Sequence, residues 1–158
     1  MTDGAKTFMV EDAPIIFRNF AGKESQFNRE GDRNFAVILP DDIALKMLED
    51  GWNVRYLESR EKGDDQLTPY ISVAVSFRNR PPRVILLTST TRTQLDEESV
   101  EILDWADIQT ADLIARGYEW NVNGKTGVKA YLQSLFVTIE EDALERKYSI
   151  NENPPTKN

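Results

Sequence analysis

Alternating apolar and polar positions recur along the chain and predict a mainly β protein. The clearest alternation runs over Tyr70–Phe77 and is typical of a half-buried strand. Its inward side chains are expected to be Ile71, Val73, Val75 and Phe77, with Tyr70 and the serines facing solvent. Shorter strands are predicted over Lys6–Val10, Ile15–Phe20, Arg33–Leu39, Trp52–Leu57 and Val84–Thr88.

The longest predicted element is a hairpin in the last third of the sequence. Thr110–Val122 and Gly127–Glu140 both have strand-like patterns, and the Asn-Gly pair at 123–124 between them is typical of a type I′ turn. The apolar positions change parity between Leu132 and Leu135. This change predicts a bulge or bend in the return strand.

Two segments have helical spacing instead. A short helix is predicted over Asp42–Asp50, with Asp41 or Asp42 as its cap and Gly51 as its stop. A second is predicted over Leu95–Trp105 with Asp96 as its cap. Most strands are not separated by helices, so a parallel α/β sheet fits poorly. A five-stranded barrel with a long hairpin and two short inserted helices fits the count.

The length of 158 residues fits one domain. We expect it to span residues 1–148, with a short helix over Glu141–Tyr148 and a disordered tail over 149–158. No run approaches the roughly 18 apolar residues of a membrane span, and the N-terminal residues lack a signal-peptide pattern. A cytoplasmic protein without a membrane partner is therefore expected.

Histidine and cysteine are both absent from the sequence. Their absence excludes Ser-His-Asp and Cys-His catalysis as usually built, together with the common zinc sites. Carboxylate chemistry remains, and Asp41 with Glu58 weakly resembles a Mg²⁺-dependent nuclease site, although Arg60 stands where such sites usually have lysine. We therefore expect a binding protein, not an enzyme, with no cofactor and no metal.

Charge is segregated along the chain, whose formal net charge is −8. Ser76–Gln94 contains four arginines and no acid, whereas Asp96–Asp112 contains seven acids and no base. Either run alone fits chance or an ordinary solvated face. The two runs together favour a protein with one face that binds an anion and another face that repels it. A local basic groove, not the net charge, decides whether a phosphate backbone binds.

Single-stranded nucleic acid is bound by cations along its backbone and by aromatic rings under its bases. The predicted phosphate contacts are Arg18, Lys23, Arg29, Arg78, Arg80, Arg83, Lys125 and Lys129. The predicted stacking residues are Phe20, Phe27, Tyr118, Trp120 and Tyr131. Three other aromatics are assigned to the core, namely Trp52, Phe77 and Trp105, and Arg33 is assigned to a pair with a nearby acid.

Several motifs resemble a phage protein family that binds single-stranded DNA through an OB fold. They are Phe17-Arg18-Asn19-Phe20-Ala21-Gly22-Lys23, Phe27-Asn28, Gly31-Asp32-Arg33-Asn34-Phe35, Asp50-Gly51-Trp52-Asn53-Val54, Asn79-Arg80-Pro81-Pro82 and Leu103-Asp104-Trp105-Ala106. The segment Gly127–Leu135 looks like the last barrel strand of such proteins. The resemblance covers roughly Ile15–Glu140 and makes the expected barrel one of OB type.

This resemblance implies a protein that coats single-stranded DNA without reading its sequence, in phage replication or recombination within the host cytoplasm. Replication or recombination proteins and a second copy of the chain are further candidate partners. The acids of residues 140–145 lie before the end of the sequence, unlike the acidic C-terminal tail that often recruits partners in such proteins. Two alternatives stay open: an acidic protein-interaction module that mimics DNA or inhibits a host protein, and the nuclease.

Overall fold

Nine strands, one α-helix and one 3₁₀ helix are formed by the residues that the computed structural model describes, which are 6–58, 66–78 and 80–140. The strands are β1 (Thr7–Val10), β2 (Ile15–Asn19), β3 (Arg33–Ile38), β4 (Val54–Glu58), β5 (Leu67–Val75), β6 (Arg83–Leu87), β7 (Arg92–Leu95), β8 (Ile108–Val122) and β9 (Lys125–Ile139). Helix α1 spans Asp41–Glu49, and the 3₁₀ helix spans Val100–Asp104.

The predicted mainly β fold is confirmed, and each predicted strand is present with shifted ends. The first predicted helix is confirmed as α1, although its N-cap is Pro40 and neither aspartate provides a side-chain cap. The helix expected over Glu141–Tyr148 and the tail over 149–158 lie outside the described residues. Within the described residues, no helix has the length and apolar character needed to cross a membrane.

The prediction of a helix over Leu95–Trp105 is wrong. The Asp96 carboxylate accepts hydrogen bonds from the backbone N–H groups of Glu98 and Ser99 and from the Ser99 hydroxyl, so a tight turn forms first. Only five residues after Ser99 become helical, and they form a 3₁₀ helix. Trp105, which follows it, is 63% exposed, so its assignment to the core is also wrong.

The strands form one curled sheet. Its main path runs β1-β8-β9-β5-β3-β2, and the first and last strands of this path are consecutive in the chain. The link between them bonds to the strands next to both ends of the path, because the Ala13 N–H donates to the Ala111 carbonyl on β8 and the Ile38 N–H on β3 donates to the Pro14 carbonyl. The sheet therefore curls back on itself around the core.

Strand β9 organises this sheet. One edge pairs with β8 in the long hairpin, and the other edge pairs in parallel first with β5 and then with β6. The turn residues Asn123 and Gly124 have φ values of 53° and 82°, as the predicted type I′ turn requires. Across the hairpin Ile114 pairs with Ser134 while Ala115 pairs with Leu132, which leaves Gln133 as the predicted bulge.

The core lies inside the curl and takes alternate residues from the strands. Phe20 stacks on Phe35 with ring centroids 5.0 Å apart. Trp52 is buried, as predicted, and packs against β8 at a position where only glycine fits. A Cβ on Gly117 would lie 2.8 Å from Trp52 Cη2 and 2.7 Å from Val128 Cγ1. Gly117 thus allows the hairpin to approach the core closely.

Candidate nucleic-acid interface

An open groove of about 990 Å³ crosses the outer face of the curled sheet. Strand β5 runs along its middle, between β3 on one side and β9 on the other. The outward residues of β5 in the groove are Ser72 and Ala74, because Ile71, Val73 and Val75 point into the core. These small side chains leave room between the loop 29–32 and the hairpin, which form the two sides.

The groove contains more cations than its acids neutralise. Two of its arginines are paired with acids: Arg29 Nε lies 3.4 Å from Asp32 Oδ2, and Arg33 Nη1 lies 3.4 Å from Glu97 Oε2. The second pair confirms the sequence-based assignment of Arg33. Three more cations line the groove with no ion pair among the described residues, namely Arg55, Arg78 and Lys129. They leave the groove ready for an anionic ligand.

Two tyrosines meet at the hairpin side of the groove. Tyr131 lines the groove, and its ring meets the ring of Tyr118 edge to face with centroids 6.3 Å apart. The Lys129 ammonium lies 5.2 Å from the Tyr131 ring centroid, and Lys129 is the cross-strand partner of Tyr118. Tyr118 is 61% exposed. One charge and two rings are therefore grouped at one place, as stacking of bases beside a phosphate requires.

The other predicted site residues are not among those that line the groove. Phe27 is 89% exposed on the β2–β3 loop that also carries Lys23, and this loop is braced by Asn28, whose side-chain amide donates to three carbonyls. Lys125 lies at the hairpin tip. Trp120 is half-buried beside Gly127, where a Cβ would lie 2.6 Å from its Cζ2. Arg80 and Arg83 are exposed beyond Arg78.

The prediction that Phe20 stacks on a base is wrong, because its side chain is fully buried. The backbone explains this result: Phe17 has a φ of 52°, and the pairing of β2 with β3 shifts register between Ile16 and Asn19. The shift breaks the simple alternation of β2. Phe17 is consequently exposed and contacts Tyr70 edge to face, while Phe20 enters the core.

Arg18 also has a structural role in place of the predicted phosphate contact. Its Nη1 donates to the carbonyls of Leu103 and Ala106, both at 2.8 Å. These bonds tie β2 to the 3₁₀ helix on the acidic segment. The prediction of Arg18 as a phosphate ligand is therefore corrected.

Sequence reasoning missed Arg55, which lines the groove from β4. Its neighbour Val54 packs against the core, so strand alternation alone would have placed Arg55 on the outer face. The pairing of β4 with the same β5 edge that β9 uses brings Arg55 to the groove, and no local pattern predicts that pairing.

Two acids of the Asp96–Asp112 segment, Asp96 and Asp104, accept hydrogen bonds within the fold. The two Asp104 carboxylate oxygens accept the backbone N–H groups of Phe20 and Ala21 at 2.7 and 3.0 Å. Two hydrogen bonds from Ser99 lower the pKa of Asp96 below its usual value. The bond from the Ser99 hydroxyl has the larger effect, and the bond from the Ser99 backbone N–H adds to it. In residues 6–58, 66–78 and 80–140, no three acidic side chains cluster closely enough to hold a metal ion.

A basic groove with grouped aromatic rings on a curled β sheet defines a single-stranded nucleic-acid-binding protein. The family model described as "Putative phage ssDNA-binding domain" matches residues 3–154, nearly the whole chain. The chain therefore belongs to this family, as its motifs predicted.

Solved structures of the single-stranded DNA-binding protein from bacteriophage Enc34 share the fold. Its C-terminal truncation aligns with a TM-score of 0.55 at 11% identity, over 86% of this chain and 87% of that chain. Its complex with ssDNA aligns with a TM-score of 0.52 at 13% identity, over 86% and 88% of the two chains. No curated protein sequence matches this chain.

Proposed function

We propose that the protein binds single-stranded DNA, without reading its sequence, in the groove over β5. The observation that carries this proposal is the grouping of Lys129 with Tyr118 and Tyr131 beside Arg55 and Arg78, which form no ion pair among the described residues. Arg55, Arg78 and Lys129 contact phosphates, and the tyrosines stack under bases. Every base has a π-face, so stacking and charge together tolerate any sequence.

The remaining predicted contacts extend this groove at its margins. Arg29, Lys23 and Phe27 reach the strand from the β2–β3 loop, while Trp120 and Lys125 reach it from the hairpin arm. Arg80 follows Arg78 where the chain leaves β5, whereas Arg83 lies outside the groove on β6 and contacts only a DNA strand that extends beyond the groove. The strong exposure of Phe27 supports its stacking role.

We further propose that the curled sheet is a five-stranded OB-type barrel within one domain of residues 1–148. Taking β1 and β2 as one interrupted strand, the circuit runs through β3, β5, β9 and β8 and returns to β1. The groove then lies on the second and third barrel strands, between the first loop and the last hairpin. OB folds bind oligonucleotides on this face.

The biological role that we propose is coating of single strands in phage replication or recombination, in the host cytoplasm and without catalysis. Membership of a phage ssDNA-binding family supports this role. Two further kinds of partner remain predictions, namely replication or recombination proteins and a second copy of the chain.

The proposal predicts steep salt dependence of binding. Each neutralised phosphate of a single strand contributes a slope of about −0.7 to log K against log salt, so the three groove cations alone give a slope of about −2, and the contacts at the margins make it steeper. Fluorescence anisotropy of a labelled oligo-dT of roughly 30 nucleotides, which covers several sites, measures this slope, with duplex DNA as a control. Arg78→Ala and Lys129→Ala should each reduce it by about 0.7.

Lys46→Ala is the matched control, because Lys46 is an exposed cation on α1 outside the groove. It should leave the slope unchanged. Binding that is insensitive to salt, or equal loss of slope in all three variants, would contradict the groove as the phosphate site.

A further inference from the structure

Two arginines share one aromatic ring outside the groove. The Arg83 Cζ lies 6.0 Å from the ring centroid of Phe136, and the Arg92 Cζ lies 5.9 Å from the same centroid. Arg83 is on β6 and Arg92 is on β7, so two strands bring these charges to the ring on β9. We call Arg83, Arg92 and Phe136 the arginine patch.

The patch groups two positive charges at one ring. Neither arginine has an ion pair among the described residues. Asp112 is the cross-strand partner of Phe136, but its Oδ1 accepts the backbone N–H of Asp12 at 2.8 Å. The ring attracts each guanidinium, yet the two cations still repel each other. An anion bound by either guanidinium would reduce this repulsion, and the guanidinium fork suits a phosphate.

The arginine patch lies on the same outer face as the groove. Because Gln133 is bulged, the outer side chains of β9 run from Lys129 and Tyr131 to Ser134 and Phe136. At a rise of about 3.3 Å per residue, the patch lies roughly 16 Å along β9 from Tyr131. Strands β5 and β6 pair in turn with one edge of β9, so the connection carrying Arg78 and Arg80 lies between groove and patch.

We propose that the arginine patch is a second phosphate-binding site, which holds the same DNA strand after it leaves the groove along β9. This inference rests on the proposed function and deepens it, since it gives the direction of the strand across the protein. A short oligonucleotide fills the groove alone, whereas a longer one reaches the patch as well. The patch therefore contributes to affinity only above a threshold of DNA length.

A length series tests this proposal. Kd values are measured for oligo-dT of about 5 and about 16 nucleotides, the range of site sizes for one OB fold. The double variant Arg83→Gln/Arg92→Gln should bind the longer oligonucleotide about tenfold more weakly, with the salt slope reduced by about 1.4. Its Kd for the shorter oligonucleotide should stay unchanged.

Two further variants separate the patch from a general charge effect. Arg92→Gln removes one positive charge from the proposed path of the DNA, and Lys46→Gln removes one from an exposed position away from it. Only Arg92→Gln should weaken binding of the longer oligonucleotide. Phe136→Leu keeps both arginines but removes the ring, so it should weaken the longer complex by less than the double variant does.

The outcomes distinguish the two proposals. Equal weakening at both lengths, or no weakening at either, overturns the arginine patch while the groove stands. Failure of the wild-type protein to bind either oligonucleotide overturns the proposed function itself, and the patch with it.

Discussion

Replacing Tyr118 and Tyr131 together by alanine is expected to weaken oligo-dT binding by at least about 30-fold. Alanine substitution of a ring under a base costs roughly 1–3 kcal/mol per base, and about 1.4 kcal/mol is a tenfold change in Kd. The two rings contact each other edge to face, so the effects of the single substitutions should not add. Anisotropy titrations of the single and double variants at one fixed salt concentration measure this coupling.

The control for this experiment is the double variant Tyr118→Phe/Tyr131→Phe. It keeps both rings and removes only the hydroxyl groups, so it should bind nearly as the wild type does. Thermal unfolding of all variants verifies that the fold is retained. If the phenylalanine variant loses as much affinity as the alanine variant, hydrogen bonds from the hydroxyls, and not stacking, hold the DNA.

Phe20→Ala is expected to lower the free energy of unfolding by about 3–5 kcal/mol, the usual range for a buried phenylalanine. The ring is fully buried and stacks on Phe35, so its removal leaves a cavity in the core. DNA affinity of the folded protein should be unchanged, because Phe20 has no surface to offer a base. Urea unfolding gives the first quantity, and titration well below the unfolding midpoint gives the second.

Phe27→Ala is the matched control for Phe20→Ala, because it removes the same ring from an exposed position. Its effect on unfolding should stay within about 0.5 kcal/mol. Should Phe20→Ala prevent folding altogether, Phe20→Leu keeps most of the apolar volume and allows the affinity measurement. A stable Phe20 variant with weakened DNA binding would restore Phe20 to the interface.

The strands and the hairpin were predictable because alternation is a local property that many residues repeat. The hairpin arms of 15 residues each and the Asn-Gly turn leave little freedom for another interpretation. The prediction of the second helix, over Leu95–Trp105, failed for a local reason as well. Apolar spacing resembled a helix, but the hydrogen bonds between Asp96 and Ser99 close a turn that spacing alone does not reveal.

Candidate site residues could be predicted only on strands whose side chains alternate regularly between the inner and the outer face. The placement of Lys129, Tyr118 and Tyr131 on one outer face could be predicted because the hairpin pairs regularly from Arg116 and Tyr131 to its tip. Phe20 was misassigned because a single residue with positive φ changes which ring faces inward. Arg55 was missed because its place in the groove depends on the pairing of β4 with β5, which joins distant parts of the chain.

The bulge at Gln133 also constrains how the sequence can change in length. Tyr131 and Phe136 have opposite parity in the chain, yet the extra residue between them brings both to the outer face. Deleting Gln133 would remove the bulge and leave an unbroken alternation along β9, in which Leu135 and Val137 still point into the core and Phe136 still points outward. Natural variants that lack one residue between Tyr131 and Leu135 should therefore keep the same faces of the hairpin, with a regular strand in place of the bulge.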